Sequence, residues 1–70
     1  MDRDEWVQRF CERIGVEPPG PDEVDELLRL AATAAHSSER PAAPIACWAA
    51  GRSARPAAEL QAIAEEINPA

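Results

Sequence analysis

Residues Pro41 to Gly51 read PAAPIACWAAG, eleven residues without a single charge. A helix without a polar face is ordinarily a buried one. The segment is therefore expected to be the central, buried helix of the fold. On a helical wheel Ala43, Cys47, Ala50 and Gly51 make a small-residue side, and Ile45, Trp48 and Ala49 make a bulkier one. Pro41 or Pro44 falls in the first turn, where a missing N–H costs little.

Outward from this segment the chain is punctuated by proline and glycine. Residues 52–55 form a turn, and Pro56 opens a last helix with Leu60, Ile63, Ala64 and Ile67 on one stripe and Glu59, Gln61, Glu65 and Glu66 opposite. Asn68 and Pro69 are expected to stop it. On the other side, Val24, Leu27, Leu28, Ala31, Ala34 and Ala35 recur at helical spacing over 22–37, with acids crowding the positive end of the helix dipole. From Ala31 onward this stripe is all alanine, so another backbone can approach closely. Before it, Glu17 to Pro21 (EPPGP) is a rigid connector that proline excludes from helix interiors. The first helix, 4–14, puts Trp6, Val7, Phe10, Cys11 and Ile14 on one stripe, with Asp2 or Asp4 as cap and Gly15 just past its end. No stretch alternates with period two, so no strand is expected. The prediction is an all-α, compact four-helix antiparallel bundle in one domain, 1–70, with helices at about 4–14, 22–37, 42–52 and 56–67.

Composition limits how well such a bundle can be held together. Of 70 residues 15 are alanine, and only 14 are large aliphatic or aromatic residues. A core this thin supplies roughly 3–5 kcal/mol of net stability, so a second copy or another protein is expected to cover part of the surface. Thirteen acids against seven arginines give −6. A phosphate backbone needs clustered positive charge, so nucleic acid is not an expected partner, and the same sign argues against anionic membranes. No apolar run approaches a membrane span and no signal peptide is evident, which points to the reducing cytoplasm and to free thiols at Cys11 and Cys47.

Few residues could carry chemistry. His36 is the only histidine, and it sits on the wheel beside Asp25, Arg29 and Ala32, away from the stripe. Cys11 and Cys47 lie on apolar surfaces, where a thiol stays protonated and inert, so a thiol–imidazole nucleophile is disfavoured. A metal would need Cys11, His36 and Cys47 together with a carboxylate such as Glu39, far from the paired spacing of zinc sites. Arg40, ahead of a helix start, suggests a bidentate clamp for a phosphate. Pro41 and Pro44 delete two of the donors such a site needs, and a loop-closing role for Arg40, on the last carbonyls of helix two or on Glu39, is the plainer reading. No phosphate loop, catalytic carboxylate pair or Ser-His-Asp set can be assembled. The expectation is a chain that is not an enzyme and holds neither cofactor nor metal.

The stretch from Ala34 to Ile45, AAHSSERPAAPI, followed six residues later by Gly51, resembles the signature "AH…RPAAP" of a small bacterial helical family of unknown function. Members stand alone or are appended to molybdenum cofactor guanylyltransferases, which join GMP to molybdopterin. The flanks agree loosely at Glu5-Trp6, Ile14-Gly15-Val16 and Leu27-Leu28-Leu30-Ala31. His36, Arg40, Pro41, Pro44 and Gly51 match the signature and are the candidate interaction or ligand residues. Ala31 and Ala32 stand where a polar residue would be expected. The resemblance implies a non-catalytic accessory or protein-interaction domain linked to molybdenum cofactor guanylylation. Its partner would be a nucleotidyltransferase or another protein of that pathway, and the alternative is a small module that binds a phosphate or pterin ligand with Arg40 and His36 at the start of the third helix.

Overall fold

Several helix ends lie where local groups satisfy free backbone donors and acceptors. The computed structural model describes residues 1–67; Asn68 and Pro69 lie outside them. The helices are α1 (Arg3–Ile14), α2 (Pro21–Ser37), α3 (Ala42–Ser53) and α4 (Ala57–Ile67), and no strand occurs among the described residues. The Asp2 carboxylate caps α1 by accepting from the Glu5 N–H at 2.8 Å. Gly15, at φ 77°, closes it with a Schellman pair, Gly15 N–H to the Glu12 carbonyl and Val16 N–H to the Cys11 carbonyl. Pro21 takes the first position of α2, and the Glu23 carboxylate accepts from the Gly20 N–H at 3.2 Å. At the other end of the chain, the Arg55–Glu59 ion pair (3.0 Å) and the Pro56 carbonyl start α4.

The packing centre is α2, and the expectation of a buried Pro41–Gly51 helix is overturned. Both α3 and α4 pack closely on α2, and α1 makes no comparable close packing with any of them. Leu30 of α2 is 5% exposed, whereas no residue of α3 is buried. The reason lies in side-chain size. Over its 17 residues α2 carries Val24, Leu27 and Leu30, which reward neighbours on several sides. The inner side of α3 offers only Ala42, Ala43, Ala46, Cys47 and Ala50, all half-buried. Small residues let α3 sit close to α2 but leave nothing to draw a third layer over its far side. Leu28, expected in the core, is 49% exposed, and Leu30 occupies the place given to it. One polar tie joins α2 and α4, the Gln61 amide donating to the Thr33 hydroxyl at 2.9 Å.

The apolar stripe of α1 also divides. Cys11 is buried and Val7 half-buried, but Trp6, Phe10 and Ile14, expected to be core residues, are about half exposed. With α1 not closely packed on α2, only the Val7–Cys11 edge of the stripe is turned from solvent. Between them lies an open groove of about 540 Å3, lined by Val7, Gln8, Pro18, Pro19, Val24 and Leu28. The result is an elongated body of 39 × 23 × 18 Å.

Candidate interaction face

The outward side of α3 brings the signature positions together. Pro41, Pro44, Ile45, Trp48, Ala49, Gly51 and Arg52 are all exposed, and every half-buried residue of the helix lies on the opposite side. Ile45 is 66% and Trp48 65% exposed. The face carries one charge, the Arg52 guanidinium, which lies over the Trp48 ring at 5.0 Å from its centre. A Cβ added at Gly51 would meet nothing within 4 Å, so the glycine leaves a flat step beside the indole rather than filling a tight contact. Three of the five candidate residues thus sit on one largely apolar, proline-bordered surface whose one charge is Arg52. The sequence marked these positions by resemblance, but its reading of α3 as buried hid the surface they make.

His36 and Arg40 take a different place. Both are exposed, His36 in the last turn of α2 and Arg40 in the corner before α3. The corner is built by backbone. The Glu39 carbonyl accepts from the Ala42 N–H at 2.9 Å and the Arg40 carbonyl from the Ala43 N–H at 3.1 Å, while the Ser38 hydroxyl donates to the Ala34 carbonyl at 3.0 Å. Arg40 closes this loop through its main chain. Its side chain makes no ion pair among the described residues. An anion site at the start of α3 would need free amides. Ala42 and Ala43 have theirs engaged, and Pro41 and Pro44 have none. Cys11 lies on α1 and Cys47 on the inner side of α3, both as free thiols. Among the described residues no three His, Cys, Asp or Glu side chains converge as metal ligands. No described helix is long and apolar enough to cross a membrane.

A second apolar surface lies on the outer side of α1. Trp6 and Phe10 stack with ring centres 5.2 Å apart and planes 18° from parallel. Together with Met1, Arg9 and Arg13 they line a shallow dimple of about 200 Å3. Ion pairs edge the helix, Arg9–Glu5 at 2.9 Å and Arg3–Asp4 at 2.9 Å, and the latter hydrogen bond and charge raise the Arg3 guanidinium above its ordinary value. With both faces open, the chain exposes 5607 Å2. A folded monomer of its 7.6 kDa exposes about 4,300 Å2, so roughly 1,300 Å2 more is in solvent than mass alone accounts for.

The chain belongs to the family described as Domain of unknown function (DUF6457), whose model matches residues 1–70. No curated protein and no solved structure matches it.

Proposed function

We propose that this member of the family is a non-catalytic accessory domain that docks on another protein through the outward face of α3. The observation that carries the reading is the exposure of Ile45 and Trp48 on a helix face with one charge. A solvated helix face is normally polar, and exposed apolar surface of this kind marks interaction sites. Trp48, held by Arg52, is a pre-ordered aromatic anchor of the sort that dominates binding energy at interfaces. The resemblance to domains appended to molybdenum cofactor guanylyltransferases names the partner to try first, in the cytoplasm, where both thiols stay reduced.

The test is recovery of partners from native extract by the tagged chain, with a Trp48→Asp variant in parallel. The expected result is a nucleotidyltransferase or another cofactor-pathway protein bound by wild type and lost at least tenfold with the variant, while helical circular dichroism is unchanged. Extracts that repeatedly yield no such protein remove the pathway assignment. Partners retained by Trp48→Asp remove the α3 face.

A further inference from the structure

We infer that the outer face of α1 is the contact between two copies of this chain, packed antiparallel about a two-fold axis. The inference deepens the reading of the chain as an interaction domain and rests on it, but uses a different face.

The exposed area of this face matches what a dimer contact needs. Trp6, Phe10, Ile14 and Met1 are between 48% and 74% exposed. Their exposed parts come to on the order of 100 Å2 each, and the arginine and carboxylate rim brings the face to about the 600 Å2 per chain at which stable interfaces begin. Covering it removes about half of the surplus surface of the isolated chain.

The order of charges along the helix sets the direction of pairing. One flank of the aromatic stripe carries Asp2, Glu5, Arg9 and Arg13, spaced three, four and four apart, so acid–acid–base–base follows one edge of the helix. Two such helices laid antiparallel put like flank against like flank. Asp2 and Glu5 of one copy then oppose Arg13 and Arg9 of the other, twice over by symmetry, and Trp6 meets Phe10 across the axis. This is the self-complementarity a two-fold interface requires. A parallel arrangement would instead set this charged flank against the apolar Val7–Cys11 edge of the other copy and leave the charges unmatched. The outward face of α3, with Arg52 alone, has no comparable pattern to set a register.

Sedimentation equilibrium of the wild-type chain between about 5 and 200 µM tests the inference. The mass is expected to rise with concentration from 7.6 kDa toward about 15 kDa. Trp6→Glu, at a half-exposed position, should weaken association at least tenfold with helical content retained. A second variant combines Glu5→Arg with Arg9→Glu, which keeps the pair within each helix and the cross-pairs within its own dimer. It should self-associate like wild type but form mixed dimers with wild type at least tenfold less than chance. A wild-type mass that stays at one chain, a dimer indifferent to Trp6→Glu, or free mixing of the double variant with wild type overturns the inference. Trp48→Asp should leave the mass curve unchanged, so docking on α3 and pairing through α1 fail separately.

Discussion

Leu30→Ala and Leu28→Ala, neighbours on α2, test whether this helix is the centre of the fold. Leu30 is 5% exposed and Leu28 49% exposed. Truncating a buried leucine removes about 2–2.5 kcal/mol of transfer energy, at ~0.8 kcal/mol per methylene, and the cavity left behind brings the loss to about 3 kcal/mol. Against a total of roughly 3–5 kcal/mol this removes most of the stability and lowers the melting temperature by about 15 °C. Half-exposed Leu28 loses about half the transfer energy and opens no closed cavity, so the cost is about 1 kcal/mol and about 5 °C. The assay is thermal and urea unfolding followed by circular dichroism, at protein concentrations low enough to keep the chain single. Equal losses at the two sites, or a larger one at Leu28, would refute the assignment of α2 as the hub.

Two further expectations concern helix ends and the single polar tie. Gly15 and Ala54 both hold left-handed backbone, at φ 77° and 59°, with open space beside the glycine. Gly15→Ala should therefore cost about 1 kcal/mol and Ala54→Gly should add about 1 kcal/mol, both by urea midpoint; opposite signs would contradict the backbone argument. Thr33→Val removes the acceptor of the Gln61 amide, which keeps its other bond to Glu65 at 2.9 Å, so a loss of about 1 kcal/mol is expected in the same assay. No loss would mean that the bond between α2 and α4 adds nothing.

The helices were legible because their signals are local. Asp2 before α1, Gly15 after it, the acids from Asp22 in the first turn of α2 (which begins one residue earlier, at Pro21) and the proline-bearing corner before α3 each act within a turn or two. What lay beyond the sequence was which faces meet. An apolar stripe states that a face avoids water, not which chain covers it. The stripe of α1 looked uniform from Trp6 to Ile14, yet its Val7–Cys11 edge alone is turned from solvent. PAAPIACWAAG fitted a central rod for the same reason. Its alanine side does meet α2, but its tryptophan side has no neighbour within the described chain to turn toward. Resemblance picked out Pro41, Pro44 and Gly51 as candidate interaction residues; only the placement of α3 shows them sharing one surface, with Arg40 in the corner before it and His36 in the last turn of α2.

The arrangement around α2 also divides the molecule's fluctuations. Because α3 packs closely on the hub whereas α1 makes no comparable contact with it, either can open while the other stays in place, as separate local unfolding events. Each carries one thiol on the side turned inward, Cys11 on the first and Cys47 on the third. The chain thus holds two built-in reporters, one for the first helix and one for the alanine seam.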